Sequence, residues 1–114
     1  MTHYLVELYS PKPAWLALDE QARAAFFEAV GTGMEALGEL GVEPLSLSEV
    51  DPRVDHAAPQ QFLAIWRCAD KAGMDALVAG ISASGWHEYF KTINAVGAEG
   101  DLGAHLGQLA ALRA

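Results

Sequence analysis

Apolar positions recur along this chain with periods that select one element after another. His3 to Tyr9, "HYLVELY", sets Tyr4, Val6 and Leu8 on one face and Leu5, Glu7 and Tyr9 on the other. That period of two predicts a strand, which the prolines of "SPKP" then stop. In the following "AWLALDEQARAAFFEAVGTGMEALGELG", Ala22, Phe26, Val30, Gly33, Met34, Leu37 and Leu40 fall on one helical stripe. Asp19 suits the N-cap and Gly41 the stop. Gly31, Gly33 and Gly38 weaken this helix, and the expected reason is close approach to a sheet. "VEPLSLSEV" alternates Leu45 and Leu47 with Ser46 and Ser48, the pattern of a half-exposed strand.

"DPRVDHAAP" is a loop by its prolines and aspartates. "QQFLAIWRC" is apolar on both faces, which predicts a central strand. Asp70 caps a predicted helix over "KAGMDALVAGISAS", with Met74, Leu77, Val78 and Ile81 on one face and Gly85 closing it. "SGWHEYFKTIN" then reads as the last strand, running to about Val96. In the tail, Leu102, Leu106, Leu109 and Leu112 form one stripe of a short helix capped by Asp101; with Gly103 and Gly107 inside, it needs something to pack on.

The order β-α-β-β-α-β plus a final helix predicts an α+β fold, the ferredoxin-like split βαβ arrangement: a four-stranded antiparallel sheet with both main helices on one face. The other face stays uncovered. The third strand is nonetheless apolar on both sides, with Phe62, Ala64 and Trp66 against Leu63 and Ile65. Soluble monomers avoid so large an apolar patch, so the expectation is a homodimer through sheet faces.

Composition narrows the function classes. The 114 residues suit one domain over residues 1–114, with 52% hydrophobic and 19% charged residues marking a globular chain. The net charge of −8, from 15 acidic and 7 basic residues, argues against binding nucleic acid or an anionic membrane. No apolar window is long enough to cross a membrane, and "MTHYLVELY" lacks the basic start of a signal peptide. The single Cys68 fits a reducing, cytoplasmic compartment and reads as a small buried hydrophobe rather than a nucleophile.

The element order, the length and the strand opening after "SGWHEYF" resemble the dimeric α+β barrel superfamily over nearly the full chain, and within it small uncharacterised bacterial families. The start, "THYLVELYSPKPAWLAL", also resembles darcynin-type members. The resemblance implies a ligand cavity between sheet and helices or inside the barrel, as in cofactor-independent monooxygenases, muconolactone isomerases, haem-degrading monooxygenases, chlorite-dismutase-like domains and the EthD group. None of their catalytic motifs falls on this sequence, so no catalytic residue is carried over.

Candidate chemistry comes from the residues themselves. An imidazole can take or give a proton at physiological pH, and His87 stands beside Trp86, Tyr89 and Phe90 where a cavity could open. It is either a proton-transfer group or an exposed hydrogen-bonder beside aromatic core anchors. It is also the one candidate for an axial haem ligand. Asn94 interrupts a strand, which asks for partners; it either orients a carbonyl or bonds a local turn. Glu7 interrupts an apolar strand. Either it pairs with Arg67 of the neighbouring strand, the reading followed here, or it is a buried carboxylate with a raised pKa, able to act as a base. Tyr9 could bond a ligand on the same face, with Phe62 and Trp66 as an apolar floor. The loop residues Asp51, Arg53, Asp55 and His56 read as solvated. No spacing of His, Cys, Asp or Glu fits a structural metal site, and no cofactor is called for. The function expected is binding of a small hydrophobic ligand. The alternatives are a cofactor-independent monooxygenase- or isomerase-like enzyme using His87 with Glu7 or Asn94, and a structural or stress-related dimer with no pocket.

Overall fold

Each of the three longer helices starts where an aspartate supplies the acceptor that the first turn lacks. The computed structural model describes residues 1–114. Asp19 accepts the Ala22 N–H at 2.8 Å and opens α2 (Glu20–Glu39), after the single turn α1 (Pro13–Leu16). Asp70 accepts the Gly73 N–H at 2.8 Å and opens α3 (Lys71–Ala83). Asp101 accepts the Ala104 N–H at 2.8 Å ahead of α5 (Leu102–Ala110). Caps of this kind are worth about 1 kcal/mol each. Gly41, at φ 79°, turns the chain out of α2. A Cβ there would lie 2.8 Å from the Ala69 Cβ, so glycine is required twice, by conformation and by space.

Four strands, β1 (His3–Pro11), β2 (Val42–Glu49), β3 (Phe62–Cys68) and β4 (Phe90–Ala98), form an antiparallel sheet in the order β2-β3-β1-β4. This is the ferredoxin-like α+β fold that the pattern predicts. Register places Leu5 opposite Trp66, Glu7 opposite Ala64 and Tyr9 opposite Phe62, so these residues share one face. On that face Leu5, Val42, Ala64, Trp66, Cys68, Met74 and Leu77 make the buried core under the helices. Burial pushes the Cys68 thiol up, with the charge of Asp70 adding to the effect, so the cysteine behaves as a core residue.

Several local expectations give way to the structure. Trp86–Tyr89 is a helical turn, α4, and not strand. Gly85 at φ 85° ends α3, and Ser84 Oγ accepts the Trp86 N–H at 3.2 Å, which starts the new turn. Trp86 and Phe90 then stack with ring centroids 4.1 Å apart. The strand β1 also runs on to Pro11, which pairs opposite Phe90 at the end of the sheet. Gly31, Gly33 and Gly38 make no close approach, for nothing lies within 4 Å of a Cβ built at any of them. The close approach falls instead at Gly73, where a Cβ would meet the Leu40 carbonyl oxygen at 3.0 Å.

The reason lies in α2, which has no buried residue and meets the rest of the chain chiefly at α3 and β2. It stands off the middle of the sheet. On the sheet's other face Val6 and Ile93 are exposed, at 37% and 53%, and Tyr4, Leu8, Leu63 and Ile65 beside them are half-buried. The C-terminal helix does not cover them, and its own leucines are exposed too.

Candidate ligand-binding cavity

The space between α2 and the sheet is a cavity of about 360 Å³. β1 contributes Glu7 and Tyr9 to it, β3 contributes Ala64 and Trp66, and α4 contributes Trp86. The roof is the inward stripe of α2, from Ala29 to Leu40, with Gly80 and Ile81 of α3 beside it. Small residues on the stripe (Ala29, Gly33 and Ala36) leave the space empty. Leu40 and Leu47, each about half exposed, mark its outer margin.

Glu7 is the polar centre of this apolar site. It is 3% exposed, and the Trp66 Nε1–H donates to its Oε1 at 2.7 Å. Burial raises its pKa, and the Trp66 hydrogen bond opposes part of that rise. Burial raises the Tyr9 pKa as well, with a negative Glu7 adding to it, so the phenol keeps its proton at neutral pH. Tyr9 is held in an aromatic corner, 5.2 Å from Trp86 and 5.8 Å from Phe62 and Phe90 between ring centroids. Its hydroxyl makes no hydrogen bond within the protein.

The pair with Arg67 does not form. Arg67 stands opposite Tyr4, an odd number of residues from Glu7, and so projects from the other face, where it is exposed. Trp66, expected as apolar floor, is also the hydrogen-bond partner of Glu7. The indole N–H was a signal in the sequence, since a buried tryptophan usually finds an acceptor.

The remaining candidates spread out. Phe62 and Phe90 flank Tyr9 but do not line the cavity. Tyr89 packs against Trp15 and Phe26. His87 is exposed on α4, where its carbonyl accepts from Lys12 Nζ at 2.6 Å. No histidine lines the cavity, so an axial haem ligand does not fit it. Asn94 stands opposite Glu7 in the β1–β4 ladder yet is exposed, because the two long helices lie over β1, β2 and β3 rather than over β4. In the loop, His56 and Asp55 approach to 3.7 Å with side chains 93% and 95% exposed, as a solvated pair.

The raised Glu7 pKa fixes a sign for stability. The folded chain holds the Glu7 proton more tightly than the unfolded chain, so this contribution is complete below the ordinary value of 4.5. It is lost as pH rises through the higher folded value. Glu7→Gln, which mimics the protonated carboxyl, is therefore expected to gain stability over wild type progressively above pH 4.5. Urea midpoints of both proteins measured across that range check this. A difference that stays flat with pH would mean that Glu7 titrates as it does in the unfolded chain.

The architecture is shared widely. A mutant of chlorite dismutase from Candidatus Nitrospira defluvii superposes with a TM-score of 0.69 at 18% identity, over 95% of this chain and 44% of that one. The same protein in complex with imidazole gives a TM-score of 0.67 at 20% identity, over 95% and 44%. A dimeric ferredoxin-like protein of unknown function from Thermobifida fusca YX gives 0.54 at 10% identity, over 87% of this chain and 92% of that one. At these identities the likeness shows the fold. The chain spans less than half the length of the chlorite dismutase chains that it matches. No curated protein matches its sequence at significant similarity. A family model does match residues 2–112, nearly the whole chain, and the protein belongs to that family, DUF6616, a family of unknown function.

Proposed function

We propose that this chain is a homodimeric protein that binds a small hydrophobic molecule between its sheet and its helices. The observation that carries the reading is the apolar cavity of about 360 Å³ around a buried, hydrogen-bonded carboxyl. Its volume lies in the range of small-molecule sites, roughly 300–1,000 Å³. The N-terminal stretch that resembles darcynin-type proteins belongs to this reading, because it forms β1 and so brings Glu7 and Tyr9. A structural dimer with a filled core has no use for such a space.

Surface area supports the second copy. The chain exposes 7890 Å², about 1,800 Å² more than a compact monomer of its mass is expected to expose. Its radius of gyration is 16.3 Å, against about 13 Å for a compact domain of this length. The surplus matches one partner's share of an obligate homodimer interface, which is about 1,000–2,500 Å². The uncovered face of the sheet is the apolar surface that such an interface would hide, and the dimeric Thermobifida protein shares its fold. The single buried cysteine and the acidic balance fit a cytoplasmic protein without nucleic-acid partners.

A second reading, a cofactor-independent enzyme, draws on Glu7 as a buried acid or base facing the cavity. His87 and Asn94 enter it only if they act from outside the lining.

Native mass spectrometry of gently purified protein tests the main reading. A dimer is expected, and mass in excess of two chains would be the retained molecule. Ile65→Asp, on the uncovered sheet face, is expected to abolish the dimer because it places a charge in the apolar interface. A wild-type monomer at micromolar concentration would sink the dimer. Failure of any apolar probe to bind the purified protein would sink the ligand site.

A further inference from the structure

The hydrogen bond from Trp66 decides what Glu7 can offer a ligand. An indole N–H only donates, so Glu7 Oε1 is an acceptor whether or not the carboxyl is ionised. A proton on the group therefore belongs on Oε2, the oxygen that has no partner within the protein. Tyr9 supplies a second hydroxyl from the neighbouring same-face position of β1, also without a partner, and both residues line the cavity. The Tyr9 hydroxyl and the Glu7 carboxyl, a donor when protonated, thus belong to two residues that line one apolar space. No lysine, arginine or histidine is present among the lining residues to balance an anion. A carboxylate or phosphate in that space would lie beside Glu7 with nothing to offset either charge.

We propose that the cavity takes an uncharged, largely apolar molecule bearing one carbonyl oxygen, a ketone or lactone, which accepts hydrogen bonds from the Glu7 carboxyl and the Tyr9 hydroxyl. The inference rests on the ligand-binding reading above and narrows it to a chemical class. The raised pKa of Glu7 agrees with it, because the carboxyl must carry its proton to donate. The carbonyl oxygen would accept from these groups at the wall of the cavity, while the rings of Trp66 and Trp86 and the stripe of α2 line the space for the carbon skeleton.

Four probes on one skeleton separate the possibilities: tetralin, 1-tetralone, 1-aminotetralin as its cation, and tetralin-1-carboxylate. Calorimetric titration of the wild-type chain is expected to show 1-tetralone binding about tenfold tighter than tetralin, the size that one or two net hydrogen bonds supply. The carboxylate is expected to bind weakest. Glu7→Leu is expected to erase the preference for the ketone, and Glu7→Gln to restore it, because an amide accepts from Trp66 and donates from its nitrogen. Tyr9→Phe is expected to lower ketone affinity about threefold and leave tetralin unchanged. Gly33→Leu, directed into the open space beneath α2, is expected to weaken every neutral probe and so locate the site.

The failures are distinguishable. If tetralin and 1-tetralone both fail to bind, the cavity reading falls and this inference falls with it. If both bind with equal affinity, the cavity stands and the carbonyl class is wrong. If the ammonium probe binds tightest, Glu7 meets its ligand as a carboxylate, and the inference is overturned in favour of an apolar amine.

Discussion

Leu77→Ala is expected to lower the unfolding free energy by about 2–5 kcal/mol, the range for truncating a fully buried leucine. The side chain is completely buried, in a core of seven buried residues that joins α3 to β1, β2 and β3. Only 11 of the 114 residues are buried in the single chain, so each of them carries a large share of the stability. A domain holds roughly 5–15 kcal/mol in all, and the loss is therefore a sizeable fraction of the total. The cavity works in the same direction. α2 rests on the core through Met34 and Leu37 and has no buried residue of its own, so shrinking Leu77 removes support from the roof of the site as well. Urea denaturation gives the number. A loss below 1 kcal/mol with an unchanged denaturant slope would mean that the core collapses onto the vacancy, and that the helical layer is more adaptable than its packing suggests.

The sequence was legible where a local rule decides the outcome. The three aspartate caps and the glycine at position 41 each follow from neighbours a few residues away, and all of them hold. The Trp86–Tyr89 turn was not legible, because a residue pair four apart, such as Trp86 and Phe90, lies on one side of either a strand or a helical turn. The left-handed Gly85 decides between them, and only the backbone shows it. The cavity was illegible for a different reason. Periodicity tells which side chains of α2 point inward but not how far the helix stands from the sheet, and the inward Ala29, Gly33 and Ala36 become a signal only when that distance is known.

Glu7 shows the limit most clearly. Its position in an apolar strand marks it as a buried or paired carboxylate, and the choice of partner turns on strand phase. Arg67 and Trp66 are adjacent in sequence, so the ladder sends one to each face of the sheet. Trp66 falls on the side of Glu7, 59 residues away along the chain. His87 is an imidazole among aromatics, but it is exposed on the α4 turn and does not line the cavity, because a helical phase replaces the strand phase there.

Trp66→Phe is the substitution that reads the protonation state of the site. It keeps most of the buried ring and removes the one N–H that Glu7 Oε1 accepts. A buried acceptor left without its donor costs roughly 1–3 kcal/mol, more when the acceptor is charged. The Trp66 hydrogen bond lowers the Glu7 pKa, so it favours the ionised form, and removing it raises that pKa further. The penalty of Trp66→Phe is therefore expected to be smaller where Glu7 is protonated and to grow as pH rises through the folded value. The same substitution in a Glu7→Gln background removes a neutral hydrogen bond at every pH, and its penalty is expected to stay constant. Urea midpoints of the four proteins over a range of pH give both curves. If the wild-type penalty is already at its upper level at the ordinary carboxylate pKa of 4.5, Glu7 is ionised at neutral pH, and a ligand there meets a carboxylate that attracts amines. If the penalty rises only at distinctly higher pH, the carboxyl carries its proton under working conditions, and the donor that a carbonyl ligand needs is in place before the ligand arrives.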